Sequence, residues 1–467
     1  MQRRVFVYAI VIAASVAAIA GLLQLGESWF PAANLPTIGT TAGATPLGST
    51  DILRRPLALL IIQLLVIILA TRMGGSLATM LRQPAVVGEI AAGLLLGPSL
   101  VGQFWPAAYT FLFPESSLDI LRLLSQVGVI LFMFSVGLDV DVAHLRQRAP
   151  TAIAVSHFSI VVPFLLGVGA ALALFPHYAP AGVPFHSFAL FMGIALSITA
   201  FPVLARVIEE RGLTRTPLGS TALACAAVDD VTAWVLLAMV VTLVTAGGIG
   251  ATLALMVCAL GMFMAVMVWA VRPWLGRMLA DTSGPLSRAR TAHVLVVLLA
   301  SALLTEVIGI HALFGAFLAG AIMPPSRELR LQLRERLESL SSVFLLPIFF
   351  AYTGLRTEIG LLNDAASWAV CVGIILTAVA GKLLGSMLAA RWSGSTWHDA
   401  FVLGALMNTR GLMELVALNV GYDLGILSPY MFTMLVVMAL VTTAMTGPLI
   451  DIASRSDARR AGAGARR

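Results

Sequence analysis

Fourteen apolar stretches, separated by short polar stretches, follow one another along almost the whole chain. Most of them approach or exceed the roughly 20 residues that an α-helix needs to cross a bilayer. We therefore predict fourteen transmembrane helices, numbered here as segments one to fourteen. Their predicted bounds are 5–25, 56–74, 84–101, 119–138, 151–175, 187–209, 217–245, 250–275, 291–309, 311–323, 339–355, 366–391, 399–421 and 429–450.

Arginines fall in every second connection between these segments, whereas the connections at 175–184 and 245–250 carry almost no charge. The positive-inside rule then predicts a multi-pass protein with both termini in the cytoplasm. Residues 1–30 are predicted to hold an extra N-terminal helix, with a cleaved signal peptide as the alternative. The Arg/Ala/Gly-rich stretch at 451–467 is predicted to be a disordered cytoplasmic tail.

Two phrases recur in the same order in both halves of the chain. Gly88–Ser99 shares Gly, Gly, Pro and Ser at identical spacing with Gly315–Ser326, and Phe132–Val140 resembles Phe349–Thr357. The matched segments lie seven apart, and an odd offset inserts the second half upside down. The repeat predicts an inverted-topology architecture, which is typical of secondary transporters with a site between broken helices at mid-membrane.

The repeat also predicts how the chain is divided. The first repeat of the transporter domain covers 56–245, a linker helix covers 250–275, and the second, inverted repeat covers 291–450. The predicted fold class is an all-α integral membrane protein with six helices in each repeat and broken crossing helices.

Composition agrees with this class and excludes others. Of the 467 residues, 59% are hydrophobic and 11% charged, and the mean hydropathy is +0.96, which leaves no room for a large soluble domain. The net charge of +6 comes from arginines in membrane loops and does not indicate nucleic acid. Cys225, Cys258 and Cys371 have no metal-ligand spacing, and no HExxH, GxSxG or phosphate-loop motif occurs. We expect neither an enzyme nor a cofactor.

Two adjacent carboxylates, Asp229 and Asp230, lie in the middle of segment seven. Ionisable side chains at mid-membrane are costly and usually functional. Consecutive helical positions point about 100° apart, so one acid can face a cavity while the other faces a helix. The alternative is that both merely cap a misplaced helix end.

Lys382, in segment twelve, is the one lysine in a chain with 29 basic Lys and Arg residues. A buried lysine can release its proton, whereas arginine cannot, and this chemistry suits proton coupling. Gly381 and Gly385 would let helices pack closely around it. The alternative is a lysine that snorkels to the interface.

Segments six and thirteen, which correspond in the repeat, both contain helix interruptions. Pro202 lies inside segment six, and Gly411 lies with polar residues inside segment thirteen. Proline removes a backbone donor, so free carbonyls and helix ends are predicted at mid-membrane, where they can bind a hard cation. A simple proline kink is the alternative. Asn408 and Thr409 are candidates to line the cavity or to satisfy the broken backbone.

Further polar residues are weaker candidates, for which a structural role competes with a functional one: Glu89, Glu306, Arg410, Glu414 and His157.

The chain resembles the monovalent cation:proton antiporter family 2, in the branch of the plant cation/proton exchangers and their bacterial relatives. The resemblance runs in family order from about Pro84 to Leu449 and rests on these phrases: PAVVGEIAAGLLLGPS, LSITAFPVLARVIEERGL, the double acid followed by VTAWVLLA, HALFGAFLAGAIMP, GLRT, AGKLLG and MNTRGLMELVALNVG.

This resemblance implies a homodimer in which each subunit has a scaffold and a moving core. The scaffold would consist of segments two to four and nine to eleven, and the core of segments five to seven and twelve to fourteen. It also implies that Asp230 binds the cation, that Asp229 pairs with Lys382 as the paired base, and that Thr199 lies beside the ion. The plant exchangers commonly have Asn at the position of Asp229, so this sequence is nearer to the double-acid antiporters. Many relatives also carry a cytoplasmic nucleotide-binding or regulatory domain; we expect no regulation by such a domain in this protein.

We therefore expect a secondary transporter that exchanges Na+ or K+ for protons by an elevator-like mechanism. We expect it to lie in the lipid bilayer of a bacterial plasma membrane. A cation-coupled symporter of an organic solute is the principal alternative, although no aromatic or hydrogen-bonding specificity cluster accompanies the double acid. A passive channel lacks support because no carbonyl-filter motif occurs.

Overall fold

The computed structural model describes residues 55–81, 83–139, 149–213, 216–245, 250–279 and 286–464. Every regular element within these ranges is helical. The predicted segment at 5–25 and the predicted extra helix within 1–30 lie outside the described residues.

The first half of the described chain contains eight helices. They are α1 (Pro56–Met80), α2 (Ala85–Leu96), α3 (Pro106–Leu112), α4 (Glu115–Asp139), α5 (Ala149–Tyr178), α6 (Phe185–Ser197), α7 (Phe201–Glu210) and α8 (Pro217–Thr245).

Ten more helices follow from residue 251 onward. They are α9 (Ala251–Val266), α10 (Arg272–Met278), α11 (Arg288–Ile308), α12 (Ala312–Ala321), α13 (Arg327–Leu340), α14 (Leu346–Leu355), α15 (Ala365–Trp392), α16 (Trp397–Met407), α17 (Leu412–Asp423) and α18 (Pro429–Gly464).

The thirteen predicted segments from residue 56 onward all fall on helices. Within the described ranges, eleven helical stretches are long and apolar enough to cross a membrane, and the bent pair α16–α17 makes a twelfth if it counts as one span. The short apolar helix α12 accounts for the tenth segment. The helix α18 extends to Gly464, beyond the predicted end of segment fourteen at 450.

Helices are expected in a chain this apolar. The hydrocarbon of a bilayer offers no hydrogen-bond partner for backbone N–H and C=O groups, and a helix pairs them internally. Apolar side chains cover the outside as well as the inside. On α1, for example, Leu65 and Leu69 are more than half exposed, whereas Ile67 is fully buried. Polar caps close several exposed helix starts, such as Thr396, whose Oγ1 accepts a hydrogen bond from the Asp399 N–H at 3.0 Å.

Two spans are interrupted in the middle of the molecule. The first breaks between Ser197, where α6 ends, and Phe201, where α7 begins. The second breaks between α16 and α17, which are bent by 45°. Both interruptions occur where the sequence predicted them.

The two repeats pack against each other through matching glycines. A Cβ added to Gly354 would lie 2.1 Å from the backbone of Gly93, and a Cβ added to Gly320 would lie 3.0 Å from the backbone of Gly137. Gly93 and Gly320 occupy the same position in the repeated phrases, as do Gly137 and Gly354. Each repeat therefore gives one helix to each of two equivalent crossings, α2 with α14 and α12 with α4, as an inverted repeat requires.

The fold class is confirmed as an all-α membrane protein. The finer division, with repeats at 56–245 and 291–450, a linker at 250–275 and a tail at 451–467, stays a prediction.

Candidate functional site

The two interrupted spans cross each other at their breaks. The Ala200 N–H donates to the Thr409 carbonyl at 3.0 Å, and the Thr199 hydroxyl lies 3.1 Å from the Met407 carbonyl. Each break therefore offers hydrogen-bond partners to the other. These bonds satisfy part of the backbone N–H and C=O groups that the interrupted helices leave unpaired.

Local sequence explains each break. Pro202 lies in the first turn of α7, where its missing N–H costs nothing and its fixed φ suits a helix start. Without that N–H, a helix cannot continue unbroken from α6. Gly411 has φ of 144° and ψ of −130°, a combination that residues with a Cβ rarely adopt. Pro202 thus acts on the first interrupted span, and Gly411 acts on the second.

Asp229 of α8 lies beside this crossing and is fully buried. Its Oδ1 accepts from the Ser156 hydroxyl at 2.5 Å, and its Oδ2 accepts from the Ser159 hydroxyl at 3.0 Å. The Thr199 hydroxyl lies 2.8 Å from the same Oδ2. This carboxylate is therefore well supplied with hydrogen-bond donors.

Lys382 of α15 completes the cluster. Its Nζ lies 3.0 Å from the Asp229 Oδ2, 3.0 Å from the Ser159 Oγ and 2.5 Å from the Thr199 Oγ1. An ammonium group has three N–H donors, so all of them can be used here. Lys382 is fully buried and does not extend to an interface.

Glycines bring α15 close enough to α5 for these contacts. A Cβ on Gly381 would lie 2.8 Å from the Pro163 Cα, and a Cβ on Gly385 would lie 2.7 Å from the Phe158 carbonyl oxygen. Larger residues at either position would push α15 away from the helix that carries Ser156 and Ser159.

Asp230, the next residue along α8, has a contrasting environment. It is 2% exposed, and neither of its carboxyl oxygens has a hydrogen-bond partner among the described residues. It lines a cavity of about 10 Å³ with six other residues: Ile198, Ala233, Trp234, Leu237, Met413 and Ala417. A bare carboxylate in such a place is costly unless a proton or a cation neutralises it.

Arg410 holds the end of the first broken helix. Its guanidinium donates to the Ala195 carbonyl at 2.6 Å and to the Leu196 carbonyl, in the last turn of α6. It also forms an ion pair with Glu414 at 2.9 Å, and both side chains are fully buried. A cation at a helix C-terminus satisfies carbonyls that have no partner within the helix and opposes their negative dipole.

Asn408 and Thr409 tie the second break to α18. The Asn408 side-chain amide lies 3.4 Å from the Thr442 carbonyl, and the Thr409 and Thr446 hydroxyl oxygens are 3.4 Å apart. The Asn408 Oδ1 is buried without a hydrogen-bond partner among the described residues.

The remaining candidates lie outside this cluster. Glu306 accepts a hydrogen bond from the Ala312 N–H at 2.8 Å, and both Glu89 and His157 make polar or electrostatic interactions of their own. The cysteines are free thiols. In the part of the chain that the structure describes, no group of three or more His, Cys, Asp and Glu side chains could hold a metal ion.

Sequence reasoning missed Ser156 and Ser159, although both contact Asp229. Hydroxyls are small enough to leave an apolar pattern unbroken, so the pattern alone does not distinguish them. Their spacing of three residues, which places both on one face of a helix, was the available signal.

Comparisons with known proteins agree with this architecture. The model of the family described as sodium/hydrogen exchanger, transmembrane, matches residues 64–454. The Na(+)/H(+) antiporter NhaS4 of Synechocystis is 44% identical over 400 residues, which cover 84% of this chain and 97% of that protein.

Longer relatives match over about half their length. Cation/H(+) antiporter 17 of Arabidopsis thaliana is 40% identical over 85% of this chain and 48% of its own. K(+)/H(+) antiporter 1 of Saccharomyces cerevisiae is 33% identical over 85% of this chain and 46% of its own.

Among solved structures, the sodium proton antiporter MjNhaP1 of Methanocaldococcus jannaschii at pH 8 has the same fold. The TM-score is 0.55 and the identity 15%, and the match covers 86% of this chain and 98% of that one.

Proposed function

The chain belongs to the sodium/hydrogen exchanger family, and we propose that it exchanges a monovalent cation, Na+ or K+, for protons at Asp230. The observation that carries this proposal is the contrast between the two adjacent acids. Asp229 is saturated with donors, whereas Asp230 faces a small cavity with both oxygens unpaired.

Asp230 can hold one cation or one proton at a time. As a carboxylate it offers two oxygens to a dehydrated cation, and the helix ends and carbonyls of the nearby crossing can supply further ligands. Protonation removes the charge and expels the cation. Because the empty, charged site is costly in a low-dielectric interior, only a loaded site moves across the membrane, and this enforces exchange.

Asp229 and Lys382 set the electrostatics of the neighbouring site. Their ion pair at 3.0 Å keeps a positive charge close to Asp230 that does not pair with it directly. A cation bound at Asp230 repels the ammonium of Lys382 and favours release of its proton, so the proposal allows more than one proton to move for each cation.

The rest of the transport cycle follows the family resemblance. We infer an elevator-like movement of a core, containing α5–α8 and α15–α18, against a scaffold that joins two subunits. The arginine distribution supports cytoplasmic termini, and we place the protein in a bacterial inner membrane.

Cavity size favours ion exchange over the uptake of an organic solute. The cavity at Asp230, about 10 Å³, is close to the space that one water molecule needs. Ligand pockets for organic molecules are roughly 300–1,000 Å³.

Purified protein in proteoliposomes with an internal pH dye tests the proposal. With a preset proton gradient, Na+, K+, Li+ and choline are added separately. Dissipation by Na+ or K+ but not by choline is the expected result. Failure of every cation in vesicles that hold a gradient, with correctly folded protein, would refute the proposal.

A further inference from the structure

Three cavities that share lining residues connect the surroundings of Asp230 with those of Asp423. The first lies at Asp230 and shares Trp234 and Leu237 with the second. The second shares His311 and Val420 with the third, which also reaches Asn419 and Asp423. Shared walls make them neighbours, and together they mark a route to Asp230 from the end that the arginine distribution predicts to be extracytoplasmic. We call the third cavity the outer vestibule.

His311 is the one titratable residue in the lining of the middle cavity. All the other lining residues are apolar or aromatic: Trp234, Leu237, Ala238, Val241, Ile310, Phe314 and Val420. The His311 Nδ1 is buried and has no hydrogen-bond partner among the described residues. An unpaired polar atom in a cavity wall is unfavourable unless water or a ligand meets it.

The backbone fixes His311 at this junction. It immediately precedes α12, and the Glu306 carboxylate accepts from the next backbone N–H, that of Ala312, at 2.8 Å. Gly309, with φ of 90°, ends α11 and turns the chain toward the cavity. The imidazole position is therefore set by two helix termini and not by a long free loop.

Several titratable and charged groups lie on the elements around His311. Glu306 of α11 lies on the same turn, and Asp423, Arg122 and Tyr352 line the outer vestibule together with His311. Asp423 is itself paired with Arg356 at 2.5 Å. On the side toward Asp230, α8 presents Trp234, Leu237, Ala238 and Val241. Among the described residues that line these cavities, His311 is thus the one ionisable side chain between the outer vestibule and Asp230.

We propose that His311 relays protons between the outer vestibule and Asp230. The relay rests on the proposed exchange function. Neutral imidazole takes a proton from hydronium in the vestibule and becomes imidazolium, releasing one water molecule. Imidazolium then gives a proton, through water in the inner cavities, to the Asp230 carboxylate, which leaves neutral imidazole and a carboxylic acid. Histidine suits this step because its ring has two nitrogens, so that one can accept a proton while the other releases one.

The relay acts on one side of the membrane only, and this gives a specific test. His311→Gln, with His311→Asn as a second variant, is expressed in antiporter-deficient bacteria, and cation-driven proton flux is measured in right-side-out and everted membrane vesicles. Bath pH is varied from acidic to alkaline. The matched control is His293→Gln, since His293 is exposed and its Nδ1 bonds to the Ala289 carbonyl at 2.7 Å, elsewhere on α11.

In right-side-out vesicles at alkaline bath pH, we expect the rate of the His311 variants to fall about tenfold below wild type, by loss of a positioned proton carrier. Acidic bath pH should restore it, and everted vesicles should show the wild-type dependence. The KM for the cation and the melting temperature should not change.

Wild-type dependence on bath pH for both variants in both kinds of vesicle would overturn the relay, as would the same altered dependence on bath pH in both kinds. Inactivity of the wild-type protein toward every cation would instead overturn the exchange function itself, so the two failures are distinguishable.

Discussion

Two consecutive carboxylates in α8 differ because their side chains point to different surroundings. Asp229 accepts hydrogen bonds from Ser156 and Ser159 and forms an ion pair with Lys382. Asp230 faces the apolar cavity and has no such partner in the described residues. Asp229 is therefore held in a polar cluster, whereas Asp230 is left available for the ion that we propose it binds.

Asp230→Asn should abolish cation-dependent proton flux while leaving the protein folded. The amide cannot supply the negative charge or take up the proton, and the cavity keeps its shape. Flux in proteoliposomes and the melting temperature in detergent measure the two effects. Exchange above the level of protein-free vesicles would contradict the assignment of the ion to Asp230.

Asp229→Asn and Lys382→Met should each destabilise the protein, by about 3–5 kcal/mol, because each leaves a buried charge without its partner. The double variant should cost less than the sum of the two. Unfolding in detergent, followed by tryptophan fluorescence, measures this cycle. Strict additivity would mean that the ion pair at 3.0 Å contributes nothing to the folded state.

Several of these residues could be predicted from sequence because they break a strong rule. Charged residues are rare at mid-membrane, so Asp229, Asp230 and Lys382 were visible in the apolar pattern. The pairing of Lys382 with Asp229 joins residues 153 positions apart, and it came from the family resemblance. His311 lies at a helix start, where a polar residue is ordinary, and sequence alone gave it no role in the site.

Helix breaks, at the scale of elements, determine where those residues meet. Pro202 and Gly411 were sufficient to locate both interruptions, since each acts on its own backbone. The crossing itself, with the Ala200 N–H on the Thr409 carbonyl, depends on tertiary packing that local signals do not contain.

Arg410→Gln should destabilise the break between α6 and α7. It removes the donors to the Ala195 and Leu196 carbonyls and leaves Glu414 buried without its cation, at a cost of about 3–5 kcal/mol. Thermal unfolding in detergent measures the loss. Glu414→Gln is the matched control and should cost less, because Arg410 keeps both carbonyls; a larger loss for Glu414→Gln would contradict this account.

Gly354→Ala should separate α14 from α2, since its Cβ would lie 2.1 Å from the backbone of Gly93. Overpacking of this kind costs about 1–3 kcal/mol, which thermal unfolding detects. Gly169→Ala in α5 is the control, because its Cβ would meet nothing within 4 Å. Equal stability of the two variants would show that the crossing can relax freely.

The whole molecule combines two repeats whose crossings are equivalent, and the repeated phrases were enough to predict this arrangement. The positions and order of the thirteen predicted segments from residue 56 onward were readable because those segments are mostly long and apolar. Cavities were not readable, because their walls consist of ordinary apolar residues such as Leu237 and Val420. Only the folded chain shows that neighbouring cavities share these walls.

We predict that the protein forms a dimer through its scaffold. The family resemblance assigns α1 to that scaffold, and α1 has exposed apolar side chains, among them Leu57, Ile61, Leu65 and Leu69. Mass measurement in detergent should give twice the chain mass of 49.2 kDa, after correction for bound detergent. A monomer that retains full exchange activity would contradict the dimer.

The single lysine of the sequence is also one of its largest fully buried side chains. An amine-specific acylating reagent therefore has no lysine on the surface to consume it, and reaction at Lys382 requires that water first reach the ion pair. The rate of acylation, followed by mass spectrometry, thus reports how often the closed site opens. A cation that holds the site shut should slow that reaction, so ligand selectivity becomes measurable without any transport assay.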